Sequence, residues 1–515
     1  MAFLRVHSAR EAAFPTDLER RVFDLIVVGS GAGGSMCARR AAQAGLSVLV
    51  LEAGSHHLPS DMTQKEGDMM PRLFYDAGGR ATSDGAVTVL HGRGIGGSTL
   101  HNTNLCKRAP EAVLKKWADD LHCPAWHPDR VSKDYDFVEK ELHVSVLTQE
   151  DTNRNNDVMR RGVEKLGWRG GFLKHNRVGC QRSGFCDLGC AYDAKENAAK
   201  IVLPAAQSFG AVVCADVRVS TLLHDGKRVQ GVVARAVQRD GTDGKTYRFL
   251  SRAVCVAASA VLSPVLLLDS QVPDPHRQIG QRLRLHPGVA VGGCFPEKIE
   301  AWKGIPQTYE CTEKLDFSDG AVDRCWLIPV FAHPGGLAGL QPGFGTTHAK
   351  AMRSYPHMAA VAAMLHDETK GTVRSAGHGR PTLDYALTPA DAFALLRGIR
   401  AAAQILLAAG AEEITVPFAR PLLVRTEKDL EDIERHRVRP LDPVLTSVHP
   451  MGSLPMGNDA RQAVVDEHGR HHQLGGLYVA DGSVFPTSIG GPPQITIYTV
   501  GLRVGHAVVS DAKRG

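Results

Sequence analysis

The chain has 515 residues, of which 43% are hydrophobic and 22% are charged, and its formal net charge is +5. A chain of this length buries a large core and is expected to contain more than one structural unit. The nearly balanced charge excludes the strongly basic surface that is typical of nucleic-acid-binding proteins, so we expect a small-molecule ligand.

The sequence also carries no signal for a membrane or for export. Residues 1–21 mix charges with short apolar pieces, unlike the continuous apolar core of a secretory signal. No window approaches the roughly 20 apolar residues that span a bilayer. The 11 cysteines are an odd number spread along the chain, which suits a reducing compartment. We therefore expect a cytoplasmic protein without an integral membrane segment.

The first predicted elements form a compact unit near the N-terminus. An apolar run at residues 23–30 ends in glycines, small residues at helical spacing follow at 35–46, and a second apolar run occupies 47–54. Strand, glycine turn, helix and strand in this order build a parallel sheet with a right-handed crossover. The fold class is therefore α/β (α+β overall), with a Rossmann-type domain. Later strand patterns return to it at residues 211–237, 252–270 and 474–486.

The turn after the first predicted strand has the pattern G-x-G-x-x-G, with Gly29, Gly31 and Gly34 as its glycines. They permit a tight turn, a close approach of a pyrophosphate, and packing of the helix on the strand. The helix N-terminus adds N–H groups and a positive dipole. Glu52 ends the next strand, where a carboxylate accepts from ribose hydroxyls and repels a 2′-phosphate. This favours FAD or NAD over NADP, whereas an isolated glycine match would only predict a loop.

Four ordered segments resemble the glucose–methanol–choline (GMC) oxidoreductase family over nearly the whole chain. Besides the first glycine loop they are residues 92–102, 257–270 and the C-terminal block made of 447–457 and 477–496. The similarity is greatest to the branches that contain cholesterol oxidase, long-chain alcohol oxidases and FAD-dependent sugar dehydrogenases. One departure lies at residues 269–271, where the family usually has a serine-glycine pair.

The resemblance implies FAD as the cofactor and a GMC fold with a sheet-based substrate domain. Residues 92–102 are similar to a second glycine loop along the flavin, in which Asn102 bonds to the isoalloxazine edge. Val217 is then expected at the adenine, Asp481 at the ribityl and phosphate region, and Thr496 at the pyrimidine end. The remaining residues that the resemblance assigns to cofactor binding are Arg93, Gly96, Gly97, Ser98 and His101.

His449 is the candidate catalytic residue, because it matches the histidine that faces flavin N5 in the family. Hydride leaves an alcohol carbon more easily as the hydroxyl proton departs, and an imidazole that titrates near neutral pH suits the role of base. The flavin is the electron sink. The alternative is a core histidine bonded to backbone, which is the usual role of a histidine outside such a motif.

The second catalytic position departs from the family. Where the family has Asn or His before a proline, this chain has Pro492 and Pro493, and proline has no side-chain donor. Either Gln494, Tyr498 or a residue of the substrate domain replaces the missing group, or His449 acts alone. A flavin-containing lyase of the hydroxynitrile-lyase type is the alternative function, although such lyases are expected to keep a polar pair.

His101 lies where some family members attach FAD covalently through a histidine. Covalent attachment through His101 would raise the potential of the flavin. The alternative is a histidine that lines the loop beside a noncovalent flavin, as in most family members.

Three cysteines, Cys180, Cys186 and Cys190, have a spacing similar to the iron–sulfur motif of bacterial FAD-dependent sugar dehydrogenases. Three thiolates are a suitable ligand set for a three-iron cluster. Such a cluster would make the protein a dehydrogenase that passes electrons from flavin to a carrier. The alternatives are structural or oxidised cysteines; a structural zinc lacks a fourth ligand at standard spacing.

The predicted organisation is interleaved. Residues 20–285 form mainly the FAD-binding domain, with the cysteine cluster inserted at 180–190. Residues 286–448 form mainly the substrate-binding domain, and 449–515 return to the FAD domain with His449. The substrate is a small-molecule alcohol, and the electron acceptor is oxygen, a quinone or an electron-carrier protein.

Overall fold

The computed structural model describes residues 4–341 and 343–514. The helices are α1 (Ala32–Gln43), α2 (Glu66–Leu73), α3 (Glu111–Asp119), α4 (Pro128–Glu141), α5 (Arg154–Lys165), α6 (Leu203–Ser208), α7 (Ser259–Asp269), α8 (Pro334–Leu340), α9 (Thr346–Arg353), α10 (Pro389–Ala408), α11 (Glu431–Arg435) and α12 (Gln494–Ala512). None of these helices, within the described part of the chain, combines the length and the apolarity needed to cross a bilayer.

The strands make up two large sheets, a smaller connecting sheet and the two-stranded sheet of Val144–Val146 and Lys174–Asn176. They are β1 (His7–Ser8), β2 (Val22–Val28), β3 (Val48–Leu51), β4 (Val87–Val89), β5 (Val144–Val146), β6 (Gly170–Phe172), β7 (Lys174–Asn176), β8 (Val212–Ala215), β9 (Val217–His224), β10 (Val229–Val237), β11 (Asp243–Val256), β12 (Gln281–Arg284), β13 (Gly288–Cys294), β14 (Tyr309–Cys311), β15 (Cys325–Pro329), β16 (Met358–Leu365), β17 (Gly371–Ser375), β18 (Pro381–Asp384), β19 (Glu413–Val416), β20 (Leu422–Val424), β21 (Leu445–Ser447), β22 (Met451–Ser453) and β23 (Leu477–Val479).

The first sheet is the Rossmann-type sheet that the sequence predicts. Its order is β1-β8-β3-β2-β11-β10-β9, and β23 pairs with β11. Strands β2, β3 and β8 run parallel, as do β2 and β11. Because β3 is buried along its whole length, its sequence is continuously apolar rather than alternating. The return of β23 to this sheet brings the C-terminal block beside the first glycine turn.

Glycines allow α1 to pack against its neighbours by backbone contact. A Cβ atom on Gly34 would lie 2.1 Å from the Gly29 carbonyl oxygen, and one on Gly33 would lie 1.7 Å from that of Ala480. In α12, a Cβ atom on Gly501 would lie 2.1 Å from the Gly33 oxygen. These distances leave no space for a methyl group. The packing of α1 against the turn after β2 and against α12 therefore depends on glycine at these positions.

The second sheet has the order β20-β19-β13-β16-β15-β14-β6, and β21 pairs with both β13 and β4. Along β13 the residues Val289 and Val291 are buried in a core that includes residues of α10. The alternate residues Gly288, Ala290 and Gly292 lie on the opposite face, because side chains alternate along a strand. The sheet therefore has one face in the core and one face of very small side chains.

The two units of the fold, one built around the Rossmann-type sheet and one around the second sheet, are interleaved in sequence. Strands β4 and β6 precede residue 286 yet join the second sheet, while β12 pairs with β22 in the connecting sheet β18-β17-β12-β22. His449 lies between β21, which belongs to the second sheet, and β22, which belongs to the connecting sheet. The chain thus crosses between the units at the residue that the sequence selects for catalysis.

Replacing Gly501 by Ala tests the backbone contact between α12 and α1. The added methyl group displaces the Gly33 carbonyl, so we expect Gly501→Ala to lose roughly 1–3 kcal/mol of stability, measured as a lower thermal midpoint. Gly67→Ala in α2 is the matched control, because its Cβ atom meets nothing within 4 Å. The control should be neutral or slightly stabilising. Equal midpoints for the two variants would contradict this account of the packing.

Candidate functional site

A cavity of about 1530 Å³ lies between the Rossmann-type sheet and the small-residue face of the second sheet. It is larger than the roughly 300–1,000 Å³ of a pocket for one small molecule, so it has room for a cofactor and a second ligand. The predicted site residues that line it are Gly29, Gly31, Glu52, Arg93, Gly97, Ser98, His101, Asn102, Val217, Asp481 and His449. Most of the predicted site residues therefore surround one cavity.

The first glycine loop is held by a buried carboxylate. Glu52 accepts hydrogen bonds from the backbone N–H of Ser30 at 3.1 Å, the Ser30 hydroxyl at 2.7 Å and the N–H of Gly54 at 2.9 Å. Burial raises the pKa of Glu52, and these hydrogen bonds oppose the rise. Glu52 lines the cavity, as its predicted role at the ribose requires, and it also orients the loop itself.

The second glycine loop is joined to the first. The N–H of Gly96 donates to the Ser30 hydroxyl at 3.0 Å, and a Cβ atom on Gly97 would lie 3.0 Å from the Gly31 Cα. Both Gly96 and Gly97 have positive φ, at 103° and 54°. A side chain at either position would be strained, and at Gly97 it would also press on the first loop. Two glycine-rich backbone segments therefore form part of the cavity wall.

Three predicted cofactor residues do not line the cavity. Gly34 packs against the Gly29 carbonyl. Gly96 packs against Ala199 and the Leu100 side chain. Thr496 is fully buried in α12, where its hydroxyl lies 3.0 Å from the Tyr135 hydroxyl on α4. Its side chain contacts the protein interior because it follows the turn of the helix away from Gln494, which lines the cavity. That Thr496 lies near the pyrimidine end of the flavin stays a prediction, and its side chain is directed into the protein interior.

Asp481 and Asn102 are both engaged by neighbouring residues. Asp481 accepts from the N–H groups of Ser259 at 3.0 Å and Ser483 at 2.8 Å, and burial raises its pKa. The Asn102 amide donates to the Gln494 side chain at 2.8 Å. Each therefore reaches the cavity from a fixed orientation.

His101 combines burial with a free ring nitrogen. Its ring packs on Phe74 with centroids 3.9 Å apart, and its Nε2 has no hydrogen-bond partner among the described residues. Burial, together with the nearby charge of Lys195, lowers the pKa of His101 to about 3. The ring is thus neutral at physiological pH; it lines the cavity, while its unpaired Nε2 is itself buried.

Lys195 is a buried ammonium beneath the second loop. Its Nζ donates to the carbonyl oxygens of Leu100 at 3.0 Å, Asn102 at 2.5 Å and Cys186 at 2.8 Å. Burial lowers the pKa of Lys195, but three carbonyl acceptors match its three donors. Lys195 therefore fixes the backbone on both sides of His101.

His449 lines the same cavity from the second unit. Its Nδ1 lies 2.9 Å from Nδ1 of His286, and the two rings stack with centroids 5.1 Å apart. Burial lowers the pKa of His449 to about 3, so the ring is neutral at physiological pH. With Nδ1 occupied, Nε2 is the nitrogen left for a ligand in the cavity.

The polar groups proposed to compensate for Pro492 are occupied or remote. The Gln494 amide donates to the Leu105 carbonyl at 2.6 Å, and its oxygen already accepts from Asn102. Tyr498 is fully buried and does not line the cavity. From the predicted substrate-binding domain, His286 contacts His449 but does not line the cavity.

These residues fit a bound FAD. The paired glycine loops leave space for a pyrophosphate at the N-terminus of α1, which begins at Ala32. Val217, His101 and His449 line the same cavity as these loops. A glycine-rich wall lets the backbone approach an elongated cofactor with a flat ring system.

The three clustered cysteines line a separate cavity of about 20 Å³, together with Arg177 and Lys195. In the described ranges no group of three or more His, Cys, Asp or Glu side chains is arranged to hold a metal ion, and the cysteines there are unpaired thiols. The iron–sulfur hypothesis for Cys180, Cys186 and Cys190 therefore gains no support from the geometry.

Sequence reasoning missed Ser30, Lys195 and His286. Ser30 occupies a variable position of the glycine pattern, and nothing in the pattern shows that its hydroxyl joins two loops. Lys195 follows the cysteine cluster, where a lone lysine predicts a solvated side chain. His286 precedes Pro287 at the start of β13, and only the pairing of distant strands brings it to His449.

Two family models, both described as GMC oxidoreductase, match residues 70–288 and 367–501, and a model of the NAD(P)-binding Rossmann-like domain matches 27–63. An uncharacterized GMC-type oxidoreductase of Mycobacterium tuberculosis is 33% identical over 95% of this chain and 76% of its own length. A long-chain-alcohol oxidase of Arabidopsis thaliana is 31% identical over 95% of this chain and 69% of its own. An Aspergillus oryzae formate oxidase variant has the same fold, with a TM-score of 0.73, 16% identity, and coverage of 96% of this chain and 99% of its own.

The lowered pKa of His101 predicts that acid destabilises the protein. The folded pKa is about 3, whereas an unfolded histidine has a pKa of about 6.5. The part of the free energy of unfolding that depends on a neutral His101 is therefore fully present above pH 6.5. It falls by up to about 1.4 kcal/mol per pH unit as the pH drops below 6.5. His101→Asn removes one such group, so its denaturant midpoint should depend less on pH between 7 and 5 than that of the unaltered protein. Identical pH dependences would contradict the burial of a neutral His101.

Proposed function

This chain belongs to the GMC oxidoreductase family of FAD-dependent enzymes, and on that premise we propose that it oxidises an alcohol group with His449 as the base. The observation that carries the proposal is the position of His449: it lines the same cavity as both glycine loops, while its Nδ1 is occupied by His286. A single imidazole nitrogen is thereby left for a hydroxyl group.

The reaction that fits this arrangement begins with the alcohol in the part of the cavity between His449 and the second sheet. The lone pair of His449 Nε2 accepts the hydroxyl proton, so the O–H bond breaks and an N–H bond forms. FAD, when bound, supplies the acceptor for the hydride that leaves the carbon.

The low pKa of His449 influences when the proton moves. Burial keeps the imidazole neutral and therefore available as an acceptor at physiological pH. The same burial makes a fully formed imidazolium costly. We therefore propose that proton transfer accompanies departure of the hydride, when the hydroxyl is most acidic, instead of preceding it.

The walls of the second unit favour an alcohol on an apolar carbon skeleton. Directly paired residues on the cavity face of β13 and β16 are Gly288 with Met364, Ala290 with Ala362, and Gly292 with Ala360. These six residues, which we term the small-residue floor, have no charged or hydrogen-bonding side chain. A sugar would leave several hydroxyl groups unpaired here, at a cost for each group. The long-chain-alcohol oxidase relative is consistent with an extended apolar substrate.

Oxygen is the electron acceptor that we propose. The relatives include long-chain-alcohol oxidases, and an oxidase passes its electrons to oxygen. Hydrogen peroxide should appear in step with oxidised alcohol when the protein turns over in air.

His449→Ala tests the base directly. The variant should retain bound FAD, because the glycine loops and Glu52 are untouched. The rate at which an alcohol reduces the flavin under anaerobic stopped-flow conditions should fall by roughly 10²–10⁴-fold, since general-base catalysis is lost. His506→Ala, an exposed histidine on α12, is the control and should reduce at the unaltered rate. An unchanged rate in His449→Ala would refute the assignment.

A series of primary alkanols tests the small-residue floor. Each added methylene that is buried contributes about 0.8 kcal/mol, which raises kcat/KM about fourfold per carbon until the floor is filled. Ala290→Phe fills the middle of the floor and should abolish this increase for long alkanols while sparing short ones. Ala290→Ser, of nearly the original size, should retain it. A preference for polyols, or an unchanged length dependence in Ala290→Phe, would contradict an apolar substrate.

A further inference from the structure

His286 reaches His449 through strand pairing. Strand β13 runs antiparallel to β21, with Gly288 opposite Thr446. Continued by two residues, this register places His286 beside Val448, the residue immediately before His449. The Ser447 hydroxyl donates to the Leu285 carbonyl at 2.5 Å and ties the two segments together.

The contact between the histidines allows only one hydrogen. Two Nδ1 atoms 2.9 Å apart form a hydrogen bond only when one carries a proton and the other presents a lone pair. The tautomers of the two neutral rings are therefore linked. When His449 carries its proton on Nδ1 and donates it to His286, the Nε2 of His449 is a lone pair directed at the cavity. When the bond is reversed, Nε2 carries the proton and cannot accept another.

The backbone of His286 is held unusually firmly. It has φ of 48°, a left-handed conformation that is uncommon for a non-glycine residue and is further disfavoured before Pro287. Asp367 stabilises this conformation by accepting the N–H groups of Leu285 at 2.9 Å and His286 at 3.1 Å. Strain of this kind persists only where surrounding contacts over-determine it, and it concentrates at functional sites.

His286 does not itself reach the ligand. It is fully buried and is absent from the cavity lining, and its Nε2 has no partner among the described residues. Its polar contact is thus directed to His449. A buried histidine that was merely structural would be expected to pair both nitrogens with backbone or solvent, since an unpaired buried polar atom costs stability.

We propose that His286 is the positioning residue of the catalytic centre: it holds the His449 ring by the Nδ1–Nδ1 hydrogen bond, and by accepting this bond from His449 it leaves Nε2 of His449 free to take the hydroxyl proton. The inference rests on the proposed role of His449 as base. It also explains how the site works with proline at position 492, because one well-oriented base replaces a pair of polar groups. A base oriented by a further residue is the arrangement found in other catalytic constellations.

Two substitutions of the same residue separate positioning from folding. His286→Phe keeps the aromatic volume but removes Nδ1. His286→Asn keeps a short polar side chain that reaches the place of Nδ1, and asparagine adopts positive φ more readily than most residues. His366→Phe is the matched control, because His366 is a half-buried histidine near His286 that makes no hydrogen bond to His449.

The holoproteins are reduced anaerobically by an alcohol, and the limiting reduction rate and the apparent Kd of the alcohol are measured separately across pH 6 to 9. His286→Phe should lower the limiting rate roughly 10- to 100-fold, as loss of an orienting partner does elsewhere, with an apparent Kd that is little changed. His286→Asn should recover most of the rate. His366→Phe should reduce at nearly the unaltered rate.

Other outcomes overturn the inference in distinguishable ways. If His286→Phe reduces as fast as the unaltered protein, or if His366→Phe loses as much rate as His286→Phe, then His286 has no specific role. If His286→Phe does not fold, a rate in His286→Asn no higher than in His449→Ala overturns the inference, and a rate near the unaltered value supports it. If no alcohol reduces the unaltered protein at any pH, the proposed function fails first and this inference fails with it.

Discussion

The buried hydrogen bonds between Glu52 and Ser30 are the interaction on which the cofactor wall depends. Glu52 ends β3, and its carboxylate binds both the N–H and the hydroxyl of Ser30 in the turn after β2. The same hydroxyl accepts the N–H of Gly96 from the second glycine loop. The Glu52 carboxylate and the Ser30 hydroxyl therefore join the end of β3 to both glycine loops. An unpaired carboxylate in this position would be costly, so the loops and the acid stabilise each other.

From this centre the rest of the site follows by packing. The glycine contacts between α1 and α12 bring the C-terminal block against the first loop, and Asp481 at the end of β23 then lines the cavity. On the opposite side, β21 and β22 carry the chain from the second sheet back toward the first. His449 lies in the short link between them. The position of the proposed base is therefore a consequence of how two sheets share one chain.

The sequence predicted the part of this arrangement that local patterns encode. The strand, glycine turn and helix over residues 23–46 were recognisable because the buried strand is continuously apolar and the turn needs glycine. The GMC fold and FAD as cofactor were predicted from motifs with a fixed spacing, and the family is confirmed. His449 was selected in the same way. What local patterns do not encode is contact across long separations.

His286 illustrates that limit. It and His449 are 163 residues apart, and their contact depends on the register of β13 against β21. Thr496 illustrates a second limit, because a motif assigns a residue to a site but the helical turn decides which way its side chain points. The cysteine cluster illustrates a third limit. The spacing of Cys180, Cys186 and Cys190 predicts that they lie together, and they line one cavity, but the shape of that cavity depends on how the whole structure packs.

The measurement that tests the central claim most directly is a crystal structure of the purified protein with FAD and an unreactive alcohol analogue. The account predicts FAD along the two glycine loops, the analogue's hydroxyl within hydrogen-bonding distance of His449 Nε2, and the Nδ1 contact to His286 retained. An analogue bound elsewhere in the cavity, with His449 turned away from it, would contradict the account.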